Sequence, residues 1–104
     1  MTQVVVSPEG RDDLLRIATY LAAVAGAATA DRWDRKFWTA IDSIAEFPGS
    51  GAPRPALGDD TRIVVVHPYV LIYQHARGSD TVYVLRVVHG RRNISKDILP
   101  GREG

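Results

Sequence analysis

The stretch that decides the fold runs from residue 62 to residue 89 and reads RIVVVHPYVLIYQHARGSDTVYVLRVVH. Three runs in it, residues 62–66, 69–76 and 81–89, are rich in Val, Ile and Tyr, which is the composition of β-strands. His67 and Pro68 separate the first two runs, and the sequence RGSD at residues 77–80 is a hairpin turn between the last two. Strands joined by such short turns pair antiparallel, so this stretch predicts a three-stranded meander.

Two amphipathic helices are predicted before the meander. A short β-branched run at residues 3–6 favours a strand, and Ser7 and Pro8 after it are typical of a helix start. Apolar residues then recur at helical spacing until Gly26, which is expected to end the first helix. A second apolar stripe follows almost at once and stops before Pro48. A link this short predicts two antiparallel helices, an αα-hairpin.

The element order is therefore β-α-α-β-β-β, which is an α+β fold. The simplest packing places the helical hairpin on one face of a small, mainly antiparallel sheet and leaves the other face partly open. Residues 48–60 read PGSGAPRPALGDD and predict a plain loop. Length predicts one domain over residues 1–104, with a flexible tail from about residue 94.

Composition excludes several classes of protein. The chain has no cysteine, so a disulfide scaffold, a thiolate metal site and a cysteine nucleophile are ruled out. No two of its three histidines have metal-ligand spacing on one helix, and we expect neither a metal nor a cofactor. The apolar runs are shorter than a membrane span and the N-terminus has no signal-peptide pattern, so we expect a cytoplasmic protein without a membrane partner.

Charge is distributed unevenly along the chain. Residues 1–60 carry nine acids and six bases, whereas residues 61–104 carry three acids and seven bases. Such asymmetry indicates either an anionic partner for the C-terminal half or a basic face that is simply solvated. The acids of the two helices are interpreted as solvated side chains and caps.

The third predicted strand of the meander contains the least expected charge. Arg86 interrupts an apolar run, so it is either a satisfied structural ion pair or part of a partner surface. Strict alternation would place Arg86 on one face with Val82, Val84 and Val88. His89, at the strand end, is either a hydrogen-bonded structural residue or a general base or RNA contact.

Two further features are candidates for partner contacts. Arg91 and Arg92 form a basic cluster that is too short to be a nucleic-acid motif by itself. Trp38 lies about 100° away from the stripe residue Phe37, and is either a second core contact or an exposed anchor. Leu15 and Tyr20 join Trp38 as candidate partner-binding residues, because two helices cannot hide all their apolar side chains in so small a core.

The chain resembles the ParE-type toxins of bacterial type II toxin–antitoxin systems, in the RelE/ParE superfamily. The matching segments are VSPEGRDDLLRIATYLA, ADRWDRKFWTAIDSIAEFPGSGAPRP, HPYVLIYQHA and VYVLRVVHGRRN, which together span about residues 4–93. The resemblance implies a growth inhibitor that binds and poisons DNA gyrase, is neutralised by a ParD-like antitoxin, and is not an enzyme. The expected target contacts are then Arg86, His89, Arg91 and Arg92, and the expected antitoxin contacts are Leu15, Tyr20 and Trp38. No specific nucleic-acid binding by the toxin alone is expected.

Two alternatives remain open at this stage. Members of the RelE branch are ribosome-dependent mRNA endonucleases, and Arg62, Arg86 and His89 could fill catalytic places in such an enzyme. RNA cleavage would need a complete acid, base and phosphate-stabilising set, which the sequence does not clearly provide. The other alternative is a non-toxic family member that binds its antitoxin and poisons nothing.

Overall fold

The computed structural model describes residues 2–100, which form a five-stranded mixed sheet and two helices. The prediction of an α+β fold with a helical hairpin on the sheet is confirmed. In chain order the elements are β1 (Gln3–Val6), α1 (Pro8–Ala25), α2 (Ala27–Glu46), β2 (Ala52–Pro53), β3 (Thr61–Val66), β4 (Tyr69–Ala76) and β5 (Thr81–His89), with short 3₁₀ turns at Pro55–Leu57 and Lys96–Ile98.

Local sequence signals set the helix boundaries. The Ser7 hydroxyl accepts a hydrogen bond from the Gly10 amide at 2.9 Å, and Pro8 occupies the first turn of α1, as the N-terminal signal predicts. Gly26 ends α1 with a φ of +93°, a conformation that side-chain-bearing residues rarely adopt. Since α2 begins at the next residue, the two helices form the predicted hairpin.

The sheet has the order β1-β5-β4-β3-β2, and only the pairing of β1 with β5 is parallel. The predicted antiparallel meander is therefore its centre. The loop prediction for residues 48–60 needs one correction, because Ala52 and Pro53 pair with Ile63 and Arg62 as the short edge strand β2. Proline is tolerated there because an edge strand needs only one side of its backbone for pairing.

A β-bulge in β5 overturns the strict alternation predicted for its side chains. Ile72 pairs with Arg86, but its neighbour Tyr73 pairs with Val84, so one residue of β5 is extra. After the bulge the inward and outward faces exchange. Val87 therefore packs in the same core cluster as Val82 and Val84, while Val88 packs on the opposite face of the sheet.

The larger core lies between the helices and the sheet. Its most deeply buried side chains come from α2, β4 and β5: Phe37, Ile41, Ile44, Leu71, Tyr73, Val82, Val84 and Val87. Burying side chains of this size stabilises the fold by about 1.5–3 kcal/mol each before the entropy cost of ordering them. The helices therefore supply their apolar stripe to one face of the sheet only.

The opposite face of the sheet is covered, which differs from the partly open face expected from the sequence. It carries a second buried cluster of Leu57, Ile63, Val70, Ile72, Leu85 and Val88. Ile94, Ile98 and Leu99 pack against that cluster, where a loosely held tail was expected. Because the strands are apolar on both faces, each face needs a cover, and the C-terminal segment supplies the second one. The expected tail at residues 101–104 lies outside the described residues.

Candidate partner-binding surfaces

Arg86 is held inside the molecule by Asp13 of α1. Its Nε and Nη2 atoms donate to the two carboxylate oxygens at 2.6 and 2.8 Å, and its Nη1 donates to the Ile98 carbonyl at 2.6 Å. The side chains of Arg86 and Asp13 are 12% and 7% exposed. The Asp13 carboxylate raises the pKa of Arg86 above its ordinary value. Of the two interpretations left open by the sequence, the geometry is that of a satisfied structural ion pair.

Asp13 also completes the edge of β5. β1 pairs with β5 only as far as Val84, and beyond that point the Ser7 hydroxyl donates to the Leu85 carbonyl at 2.8 Å. Asp13 then accepts the Val87 amide at 2.9 Å. The interpretation of the helix acids as solvated is therefore wrong for Asp13, which is 6% exposed. The sequence does contain an indication that Asp13 is buried, because Asp13 lies one turn before Ile17 on the apolar, inward side of α1.

Arg62 lies in a different place and is also engaged with backbone. Its Nη1 atom donates to the carbonyls of Gly49 and Gly51 at 3.2 and 2.8 Å. The Tyr73 hydroxyl fixes the same loop, since it donates to the Pro48 carbonyl at 2.6 Å and accepts the Gly51 amide at 2.9 Å. The guanidinium groups of Arg62 and Arg86 therefore hold two separate segments, and within residues 2–100 no hydrogen bond joins either of them to His89.

His89 lies at the end of β5 with its ring against Tyr69, at a centroid distance of 5.7 Å. Its Nδ1 atom accepts the Arg91 amide at 3.1 Å, which shapes the turn that presents Arg91 and Arg92 to solvent. The two arginines point to different surroundings. Arg92 lines a cleft between α1 and the end of β5, whereas Arg91 lines a depression with Val65, His67 and Pro68.

The cleft beside Arg92, here called the Tyr69 cleft, has a volume of about 380 Å³. It is lined by Asp13, Arg16, Ile17, Tyr20, Tyr69, Val87, Val88, His89 and Arg92. Burial raises the pKa of Tyr69, with a further contribution from Tyr20. Tyr69 carried no signal of a site in the sequence, because a tyrosine in a strand ordinarily packs in the core.

A separate groove lies between the two helices, away from the sheet. Leu15 and Trp38, which are 65% and 38% exposed, line it together with Leu14, Ala18, Ala30, Arg11, Asp31 and Asp34. The structure thus brings together two of the three candidate antitoxin-binding residues. Tyr20 is 61% exposed but belongs to the Tyr69 cleft, on another side of α1.

Metal-binding clusters and membrane-spanning helices are both absent from the described part of the chain. Within residues 2–100 no group of three or more His, Asp or Glu side chains is arranged to hold a metal ion. None of the helices in this range is both long and apolar enough to cross a membrane.

Sequence comparison identifies the family. Residues 4–94 match a protein family described as the ParE toxin of type II toxin–antitoxin systems, parDE. The chain belongs to the ParE toxin family. The resemblance noted from the sequence is thereby confirmed, and with it the assignment of the chain as a ParE-type toxin of a type II toxin–antitoxin system. No curated protein gives a significant match to this ParE-family chain.

Two solved structures share the fold of this ParE-family toxin. A chain of the chromosomal ParDE toxin–antitoxin system from P. aeruginosa superposes with a TM-score of 0.72 at 16% identity, covering 86% of this chain and 96% of that one. A chain of the toxin–antitoxin complex RelBE2 from Mycobacterium tuberculosis gives a TM-score of 0.58 at 26% identity, covering 85% of this chain and 96% of that one. The fold is therefore common to a ParDE and a RelBE system.

Proposed function

We propose that this toxin inhibits growth by binding and poisoning DNA gyrase, that a ParD-like antitoxin neutralises it, and that it is not an enzyme. The observation that carries the proposal is the ParE family match over residues 4–94. The placement of the candidate catalytic residues supports it. Acid–base cleavage of RNA needs a base and an acid positioned around one reacting group, whereas Arg62 and Arg86 are bonded to separate parts of the fold.

The antitoxin is proposed to bind the groove between α1 and α2. Leu15 and Trp38 are large exposed apolar side chains on neighbouring helices, and Ala18 and Ala30 leave room between them. An amphipathic helix laid in such a groove buries this surface, and aromatic anchors such as Trp38 carry much of the affinity of an interface. The position of Tyr20 restricts this proposal to Leu15 and Trp38.

The target is proposed to contact the end of β5 and the turn after it. His89, Arg91 and Arg92 are exposed there, and the two arginines carry positive charge that an acidic surface can meet. Arg86 contributes from the interior, because it bonds to Asp13 of α1 and to the carbonyl of Ile98 in the segment after this turn. We therefore assign Arg86 a positioning role rather than a direct target contact.

Removing residues 91–104 does not isolate the target contact, because Ile94, Ile98 and Leu99 belong to the cover of the sheet. Charge substitution does so better. Cells that express the double variant R91Q/R92Q without antitoxin are expected to grow better than cells that express the wild-type toxin. The purified variant is expected to keep the wild-type melting temperature. Its complex with the antitoxin is expected to keep the wild-type affinity, because neither residue lines the groove between the helices.

The antitoxin groove has its own matched variants. W38A is expected to weaken the purified complex by roughly 30-fold or more, since anchor residues contribute about 2 kcal/mol or more. F47A serves as the control, because Phe47 is 60% exposed and lies outside the groove. Equal affinity of W38A and wild-type toxin for the antitoxin would contradict this placement.

The experiment that tests the target is induction of the toxin in cells, followed by assays with purified protein. Induction of the DNA-damage response together with inhibited gyrase supercoiling is the expected result. The alternative function is that of an mRNA endonuclease. It stays a candidate because the chain also shares its fold with a chain of the RelBE2 complex, and the fold alone does not determine the activity. Cleavage of ribosome-bound mRNA that disappears in H89A would replace the gyrase proposal with the endonuclease. Absence of any growth defect would point to a non-toxic antitoxin-binding protein.

A further inference from the structure

Tyr69 has a fixed ring and a free hydroxyl. The residue is 9% exposed, and its ring meets Trp33, Phe37 and His89 edge-on at centroid distances of 5.6, 5.4 and 5.7 Å. Within residues 2–100 its hydroxyl makes no hydrogen bond, whereas Tyr73 in the same strand satisfies its own hydroxyl twice. No side-chain oxygen in this range is both fully buried and unpartnered. The Tyr69 hydroxyl therefore reaches solvent, and it does so in the cleft that the residue lines.

The groups around this hydroxyl are hydrogen-bond donors and cations. Arg92 and His89 lie on one side of the Tyr69 cleft, and Arg16 and Tyr20 lie on the α1 side. Asp13 is the one acid that lines it, and both oxygens of Asp13 are taken by Arg86 and by the Val87 amide. Because burial raises the pKa of Tyr69, its hydroxyl stays protonated at neutral pH and can donate. The cleft thus offers mainly donors, and its carboxylate is already paired with Arg86.

A ligand for this arrangement needs an anionic oxygen on a small apolar stem. The anionic oxygen would accept from Tyr69 and pair with Arg92, and charge-assisted hydrogen bonds of this kind are about twice as strong as neutral ones. The stem would pack on Ile17 and Val87, which are among the apolar residues of the lining. Arg16 pairs with Asp12 on the exposed surface of α1 and can turn toward a bound anion without leaving a buried acid unpaired.

We propose that the Tyr69 cleft binds the carboxylate side chain of an acidic protein segment. A carboxylate is favoured over a nucleic-acid phosphate for two reasons. The volume of about 380 Å³ suits one side chain rather than a run of nucleotides. Nucleic-acid binding also needs an extended row of Lys and Arg, whereas the chain has a net charge of only +1 and few cations face this cleft. The site depends on neither the identity of the antitoxin nor that of the growth target.

The test is an amide NMR titration of the purified toxin with the peptide N-acetyl-Leu-Glu-Ile-amide. Its uncharged analogue with Gln in place of Glu is the first control, and a ten-residue oligouridylate tests the nucleic-acid alternative. We expect the Glu peptide to shift resonances around Tyr69 and His89, with the Gln peptide at least tenfold weaker. Equal binding of the two peptides, or stronger binding of the oligonucleotide at the same resonances, would overturn the proposal.

Matched variants locate the contact. Y69F keeps the ring and its aromatic neighbours and removes only the hydroxyl, so we expect an unchanged melting temperature and roughly tenfold weaker binding of the Glu peptide. R92Q is expected to weaken the Glu peptide by a similar factor. R91Q is the control, because Arg91 lines a different depression and should leave the affinity unchanged. Wild-type affinity in both Y69F and R92Q would refute the assignment.

Discussion

Replacing Asp13 with alanine tests how much this buried carboxylate contributes to the stability of the fold. Asp13 accepts from two nitrogens of Arg86 and from the Val87 amide, at 2.6 to 2.9 Å. Breaking a buried ion pair by removing one partner costs about 3–5 kcal/mol, and an unpaired buried amide costs about 1–3 kcal/mol. These costs overlap, since water that enters the space left by the carboxylate serves both groups. We expect D13A to lose about 4 kcal/mol of unfolding free energy.

The assay is urea unfolding followed by circular dichroism, with thermal melting alongside it. A loss of 4 kcal/mol is a large part of the roughly 5–15 kcal/mol of a typical domain and should lower Tm by about 15 °C or more. D12A is the matched control, because Asp12 is the neighbouring acid and pairs with Arg16 on the exposed surface. It should cost less than about 1 kcal/mol.

A double variant separates the charge from the packing. In D13L/R86M the buried charges are replaced together by apolar side chains, so no unpaired guanidinium remains. Such replacements are often neutral or stabilising, and we expect the double variant to be more stable than D13A. If D13A and D12A differ by less than about 1 kcal/mol, the reasoning from buried hydrogen bonds is refuted.

Three further predictions concern single side chains. Y73F should lose about 1–3 kcal/mol in urea unfolding, because a partly buried carbonyl and a buried amide lose their partner; an unchanged midpoint would contradict this. G51A should also lower Tm, because the added Cβ would lie 2.7 Å from the Tyr73 hydroxyl. A wild-type Tm would contradict this steric clash. Because burial raises the pKa of Tyr69, absorbance at 295 nm should show a tyrosine component that ionises above the ordinary range, and Y69F should lack that component. Since the folded state holds this proton more tightly, stability should fall as pH rises through about 10.

The elements that the sequence predicts well are those that local chemistry defines. Ser7 and Pro8 mark the start of α1, and Gly26 marks its end, because each acts on backbone within a few residues. The meander follows from composition and turn residues in the same way. The parallel pairing of β1 with β5 is different. Both helices and the rest of the sheet lie between these two strands in the sequence, so no local signal indicates that β1 pairs with β5.

The candidate site could be predicted in part. The sequence predicts a basic cluster just after the last strand, and Arg91 and Arg92 are exposed there. The partner of Arg86 could not be found, since Asp13 lies 73 residues away in the sequence. The bulge in β5 was equally hidden, because an extra residue becomes visible only against the paired strand. Tyr69 was missed because its ring belongs to the core while its hydroxyl belongs to the surface.

Helix α1 keeps the two proposed surfaces apart. Leu15 and Tyr20 are five residues distant, which places them about 140° apart around a helix with 3.6 residues per turn. A partner helix that covers Leu15 and Trp38 therefore leaves the Tyr69 cleft open. An antitoxin that also blocks this cleft must continue past the groove and offer an acidic segment of its own, which the basic C-terminal half of the toxin would attract. Under that arrangement the antitoxin displaces the Glu peptide from wild-type toxin, whereas an antitoxin confined to the groove binds beside it.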